Sequence, residues 1–210
     1  MKIICIGRNY IDHAKELNNP VPTKPLVFIK PPSALLVNNK PLYYPLFTED
    51  LHYEVEVVLK ICKNGKYVRP EFASGYYCEV ALGIDFTARD LQAQCKTKGH
   101  PWEIAKGFDG SALVSPFVPI EKFDKNAIEF RLDKNGQTVQ SGNTKDMIFS
   151  FEKIISYTSQ FFKMQMGDYI FTGTPAGVGT VQIGDLLEGY LFLKDQDKAK
   201  ASPIFHCEIK

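Results

Sequence analysis

The chain has 210 residues, 44% of them hydrophobic, and its 25 Lys plus Arg against 24 Asp plus Glu give a net charge of +1. That is enough chain to bury a full core and too little for two large domains. A near-neutral balance of scattered charges gives it no electrostatic claim on nucleic acid or an anionic membrane. The five cysteines, Cys5, Cys62, Cys78, Cys95 and Cys207, are odd in number and form no Cys-x-x-Cys pair. A disulfide framework or structural zinc site is therefore not expected, and a reducing compartment fits better. No apolar run approaches the ~20 residues needed to span a bilayer, and the N-terminal apolar run is too short for a signal-peptide core. The expectation is one cytoplasmic domain over 1–210, with residues 1–50 as an N-terminal segment.

In chain order, residues 2–6 read as a short strand that stops at Gly7. A helix follows from Asn9 to Leu17, with Tyr10, His13, Ala14 and Leu17 at spacings of three and four, ended by Asn18-Asn19-Pro20. Seven prolines between 20 and 50 argue for irregular β structure there. His52 to Cys62 is a strand, and Asn64-Gly65 suits a type I′ hairpin turn after it. A strand from Glu79 to Phe86 runs into Thr87-Ala88-Arg89-Asp90, a Thr-x-x-Asp helix start. Residues 96–112 read as irregular. Ile128–Leu132 and Gln137–Gln140 form a second hairpin around Asn135-Gly136. Ser150 caps the clearest helix, whose stripe Phe151, Ile154, Ile155, Thr158, Phe161 and Phe162 should be buried. Strands return at Tyr169–Thr172, Leu186–Lys194 and Ile204–Ile209. The sum is a β-rich α+β fold with few helices.

Glu54-Val55-Glu56 carries the most chemical information. Residues two apart in a strand face one side, so the two carboxylates point together and repel. A divalent cation relieves that repulsion, and hard oxygen donors suit Mg²⁺, Mn²⁺ or Ca²⁺; an exposed strand face with two solvated acids is the plainer alternative. Asp85, at the end of the apolar run Val80–Ile84, is either a third oxygen donor or a simple cap. His13 and Glu16, at i and i+3, share a helix face. Glu16 can polarise the imidazole so that His13 takes a proton from water, or the two form an ordinary surface pair. Lys106, set among apolar neighbours, is either an oxyanion donor or a snorkelling lysine. Gly173-Thr174-Pro175-Ala176-Gly177-Val178-Gly179 lacks the Gly-Lys-Ser/Thr ending of a phosphate loop and reads instead as a tight turn lining a pocket.

These pieces stand in one order: Gly7-Arg8-Asn9-Tyr10 with His13 and Glu16, Phe28-Ile29-Lys30-Pro31, Glu54-Val55-Glu56, Asp85 to Asp90 with Gln92, Lys98 to Trp102 with Lys106, Met147 to Ser150, and Gly173-Thr174-Pro175. In that order the chain resembles the fumarylacetoacetate hydrolase family, closest to its short single-domain acylpyruvase and oxaloacetate decarboxylase members. The resemblance implies a rolled, mixed β-sheet with few helices and a homodimer. It implies a Mg²⁺ site, with Mn²⁺ or Ca²⁺ as alternatives, held by Glu54, Glu56 and Asp85. It further implies a His13–Glu16 dyad on an N-terminal lid, Lys106 as the enolate contact, and Arg89, Gln92 and Thr174 along the substrate pocket. The activity implied is hydrolysis of a C–C bond in an acylpyruvate-type 2-oxo acid, or decarboxylation of oxaloacetate, through a pyruvate enolate. An isomerase or tautomerase acting on an enol acid such as 2-hydroxyhepta-2,4-diene-1,7-dioate is the alternative. A metal-binding protein without catalysis is a third reading, disfavoured because the dyad and Lys106 are both present.

Overall fold

The computed structural model describes residues 1–16, 20–37 and 39–210, and the fold is strand-rich α+β. Its largest sheet has eight strands. In spatial order these are Leu26–Lys30, Ile3–Gly7, Tyr169–Phe171, Val55–Ile61, Tyr77–Asp85, Ala112–Val114 and Leu35–Leu36, with Val118–Pro119 pairing onto the Tyr77–Asp85 strand. The sheet is mixed: Ile3–Gly7 pairs parallel with Tyr169–Phe171 and Leu35–Leu36 parallel with Ala112–Val114, while the other pairings are antiparallel. A four-stranded antiparallel sheet (Gln137–Asn143, Glu129–Lys134, Leu186–Phe192, Phe205–Glu208) and a small three-stranded one complete the β structure.

Strand alternation assigns the two faces of the large sheet. Val55, Val57, Leu59 and Ile61, with Val80, Leu82 and Ile84, point into the main core. There they meet Phe130, Leu132, Leu187 and Phe205 of the four-stranded sheet and Ile154 and Ile155 of the helix Phe151–Thr158. Each such buried side chain contributes about 1.5–3 kcal/mol relative to exposure. On the other face Val58, Ala81, Cys5 and Phe171 form a smaller cluster. This second face continues, by alternation, into Glu56, Glu54 and Asp85, so the acids sit at one end of a face whose centre is apolar.

Several expected elements form where the pattern places them. Asn135 and Gly136 both adopt positive φ and close the Glu129–Lys134/Gln137–Asn143 hairpin, and the Ser150 side chain caps its helix by accepting from the Lys153 N–H. Others differ. The N-terminal helix spans Ile11–Glu16, and its expected end at Leu17–Asn19 lies outside the described residues. The stretch 52–62 divides into Leu51–Tyr53 and Val55–Ile61, which belong to different sheets. Asn64-Gly65 makes no hairpin turn, because Gly65 pairs instead with Met164 across the fold, and the connection to Tyr77 runs through the short helix Pro70–Ala73. Thr87 does not cap the helix Arg89–Lys98; its hydroxyl is taken by Lys106. Within 96–112 that helix continues to Lys98 and a second one spans Glu103–Lys106. Phe161 lies beyond the end of the Phe151–Thr158 helix and is exposed.

Candidate active site

Glu54 stands at the break between two strands, where its carbonyl accepts the Asp85 N–H at 2.8 Å. That bond aligns the end of the Tyr77–Asp85 strand with Glu54, and strand alternation places Glu56 beside both. One oxygen from each of the three carboxylates falls within 4.8 Å of the others, and all three side chains are buried.

Their charges are handled unequally. Glu54 Oε2 and Asp85 Oδ2 each accept from Lys106 Nζ at 2.8 Å, and Arg89 Nη2 reaches Glu54 Oε1 at 2.5 Å. Burial alone would raise Glu54, yet Lys106 and Arg89 hold it well below the usual carboxylate range. Lys106 is itself kept above the ordinary lysine value, because Asp85 and Glu54 outweigh its burial. Among the described residues no cationic side chain is bonded to Glu56; its Oε2 accepts the Gly173 N–H at 2.7 Å. Burial first, then the neighbouring Asp85 and Glu54, push its carboxyl well above the usual range. Three convergent hard oxygen donors, one of them uncompensated, fit a divalent cation of the Mg²⁺ or Mn²⁺ type.

His13 lines the same cavity and is buried. Its Nδ1 lies 3.5 Å from Glu16 Oε2, a contact without hydrogen-bond alignment that becomes ionic only when the imidazole is protonated. Burial outweighs the nearby Glu54 and Glu16 and lowers the imidazole below its ordinary value, so it is neutral at pH 7. Glu16 is in turn held by the Gly177 N–H, at 3.0 and 3.2 Å to its two oxygens. The glycine-rich turn therefore lines the pocket and grips both acidic groups, Glu56 through Gly173 and Glu16 through Gly177. Both glycines have positive φ, 106° and 97°, and a Cβ on either would collide with Asn9 or with the Val139 carbonyl.

Of the nine expected site residues, eight line one cavity of ≈ 30 Å³; Glu16 stands beside His13, its Oε2 3.5 Å from Nδ1. Gln92 is buried and accepts from Arg89 Nη1 at 2.7 Å, while Thr174 Oγ1 accepts from Gln140 Nε2 at 2.9 Å. Arg89 Nε is buried without a partner. The sequence reading assigned no role to Lys30, which is fully buried. Its ammonium lies 2.7 Å from Asp85 Oδ1 and bonds the carbonyls of Ser111, Phe86 and Lys106. It also left Arg8, Lys96 and Trp102, all on the cavity wall, without a role. The available signal for Lys30 was a lone lysine closing the apolar strand Leu26–Ile29 immediately before Pro31-Pro32.

A family model described as Fumarylacetoacetate (FAA) hydrolase C-terminal matches residues 2–204. The chain is 43% identical over 187 residues to mouse (Mus musculus) oxaloacetate tautomerase FAHD1, mitochondrial, covering 89% of this chain and 85% of the relative. It is 41% identical over 189 residues to the mitochondrial oxaloacetate decarboxylase of Dictyostelium discoideum, covering 89% and 87%. The crystal structure of fumarylpyruvate hydrolase from Pseudomonas aeruginosa in complex with Mn²⁺ and pyruvate matches with a TM-score of 0.90 and 33% identity. That match covers 100% of this chain and 89% of the other.

Proposed function

From the premise that this chain belongs to the fumarylacetoacetate hydrolase family, we propose that it is a divalent-metal-dependent enzyme forming a pyruvate enolate from a small 2-oxo acid. It does so by hydrolysing the C–C bond of an acylpyruvate, by decarboxylating oxaloacetate, or by both. The observation that carries this reading is the set of three buried carboxylates within 4.8 Å of one another, beside Lys106 and in one cavity with a neutral His13.

Glu54, Glu56 and Asp85 are the residues that would hold the cation, Mg²⁺ first, with Mn²⁺ or Ca²⁺ as alternatives. When bound, it supplies Lewis acidity toward the carboxylate and 2-oxo oxygens of the substrate. Arg89, with its unpartnered Nε, together with Gln92 and Thr174, offers polar groups that orient the substrate. Lys106 holds an ammonium charge on the cavity wall, its three N–H groups taken by Glu54, Asp85 and Thr87, and that fixed positive charge stabilises the negative charge that builds on the enolate. For an acylpyruvate, His13 takes a proton from water and the resulting hydroxide adds to the distal carbonyl. The C–C bond then breaks with its electron pair passing to the enolate, which is protonated on carbon to give pyruvate. Glu16 stabilises the imidazolium that forms. For oxaloacetate, loss of CO₂ gives the same enolate without attack by water.

A second reading is keto–enol tautomerisation of oxaloacetate, favoured by the name of the mouse relative. It needs only a proton moved between carbon and oxygen beside the same Lys106. The deciding experiment is pyruvate release from acetylpyruvate and from oxaloacetate, with Mg²⁺ and after EDTA, with the oxaloacetate enol absorbance followed in parallel. Metal-dependent pyruvate supports the first reading. Enol decay faster than the uncatalysed rate without pyruvate replaces it with the second, and neither signal sinks both.

The proposal extends to a homodimer and to a cytoplasmic location. Tyr43, Leu46 and Phe47 are exposed within one short segment, an apolar patch suited to a partner surface; light scattering at the monomer mass would refute the dimer. The five free cysteines suit a reducing compartment. Cell fractionation decides the location, since the mouse and Dictyostelium relatives carry mitochondrial names.

A further inference from the structure

Three carboxylates and four cationic side chains (Arg8, Arg89, Lys96 and Lys106) line the catalytic cavity. The acids account for only two of those cations: Arg89 and Lys106 bond Glu54, and Lys106 also bonds Asp85. Among the described residues, neither Arg8 nor Lys96 has a carboxylate within salt-bridge distance. Both have backbones fixed by the fold. Arg8 sits at φ 58°, a left-handed backbone that a non-glycine residue adopts only where its surroundings impose it. Those surroundings are the fully buried Asn9, whose side chain bonds the Phe149 and Thr172 carbonyls and the Phe149 N–H. The kink turns the chain after the Ile3–Gly7 strand and leaves Arg8 on the cavity wall. Lys96 comes from the opposite side of the sequence, the last turn of the helix Arg89–Lys98, with its ammonium 5.6 Å from the Trp102 ring centroid at the mouth.

We infer that Arg8 and Lys96 form an anion subsite at the cavity mouth that holds the distal carboxylate of a dicarboxylic 2-oxo acid, so that this enzyme selects dicarboxylic over neutral-tailed substrates. The inference rests on the functional reading above in one respect: the carboxylate triad end of the cavity takes the 2-oxo acid head. Partial desolvation first, then the nearby Arg89 and Arg8 charges, lower the Lys96 ammonium to about 8, so a facing anion would favour its charged form. A second substrate carboxylate supplies it, and charge-assisted bonds to guanidinium and ammonium hold it there. A methyl group in its place leaves both cations uncompensated.

The test uses two matched pairs, each differing only in a terminal carboxylate or methyl: succinylpyruvate against butanoylpyruvate as substrates, and 2-oxoglutarate against 2-oxopentanoate as ligands in calorimetry with Mg²⁺ present. The wild type should bind 2-oxoglutarate at least about tenfold more tightly. Arg8→Gln with Lys96→Gln should erase that preference, and Lys96→Gln alone, at an exposed position, should reduce it. In turnover the double variant should lose about tenfold or more in kcat/KM for succinylpyruvate, through KM, and less than about threefold for butanoylpyruvate. A wild type indifferent to the terminal carboxylate, or variants that lower both members of a pair equally, would overturn the subsite. A binding preference without any pyruvate release would instead fail the functional reading and leave the subsite standing.

Discussion

The two halves of the proposed site are built in opposite ways. The carboxylates stand at one end of two adjacent long strands of the largest sheet, Glu54 just before its strand, and two buried lysines hold Glu54 and Asp85 from different parts of the chain, Lys30 from the edge strand and Lys106 from a short helix. The His13–Glu16 pair rides on a six-residue helix, and Glu16 is bonded to the rest of the fold through the Gly177 N–H. The first half is an electrostatic frame; the second is a pair on a light support. On the proposed mechanism the frame carries stability and enolate chemistry together, while the pair carries hydrolysis with little of the stability behind it.

Changes that strike this contrast hardest come first. Lys106→Met should lower activity by about 10³-fold or more, since it removes the fixed positive charge proposed to stabilise the enolate. It should also destabilise by about 3–5 kcal/mol, since Glu54 and Asp85 lose their shared buried partner. Steady-state kinetics and urea unfolding read the two effects. Lys30→Met should cost about 3–5 kcal/mol as well, lowering the melting temperature by roughly 6–20 °C for a chain of this size. A variant that melts like the wild type would show that Lys30 is not part of the frame. His13→Gln should reduce acylpyruvate hydrolysis about 10²–10⁴-fold and leave oxaloacetate decarboxylation within about tenfold of wild type. Equal losses in both reactions would erase the division between frame and dyad.

The smallest effects concern pH and Glu16. Burial holds His13 below the ordinary imidazole value of about 6.5, so the neutral base is present at pH 7 and is lost as pH falls. The acid limb of kcat/KM for hydrolysis should therefore lie below about 6.5. Glu16→Gln keeps an acceptor for the Gly177 N–H but removes a charge that raises His13. It should shift that limb further to acid and slow hydrolysis only about tenfold or less; a shift toward alkali would refute the pairing.

The frame's acids were legible because strand alternation is local: Glu54 and Glu56 announce one face by their spacing, and Asp85 ends an apolar run that can only be a buried strand. The two lysines were not equally legible. Lys106 stood out among apolar neighbours, while Lys30 meets Asp85, Phe86, Lys106 and Ser111, all at least 55 residues away, and no local pattern encodes such distances. The misread turns have the same cause. Asn64-Gly65 has the right residues for a hairpin, but Gly65 is claimed by Met164, and Thr87 has the right residue for a cap, but its hydroxyl is claimed by Lys106. Where a tertiary partner competes for a group, local chemistry loses. The Asn135-Gly136 turn forms as its sequence dictates, because the bonds Asn135 makes to Asp185 and Leu186 are compatible with its turn backbone.

The loop from Gly173 to Gly177 touches both halves at once, its first amide on Glu56 and its last on Glu16. Five residues of backbone, boxed in by Asn9 at one end and Val139 at the other, join the carboxylate that most needs a cation to the carboxylate that steadies the base. Linkage makes any coupling across it reciprocal: if a cation on Glu56 shifts the affinity of the dyad for a ligand, that ligand shifts the affinity of the triad for the cation by the same factor. The loop is thus a spacer of fixed length, and an inserted residue would pull one amide off its carboxylate.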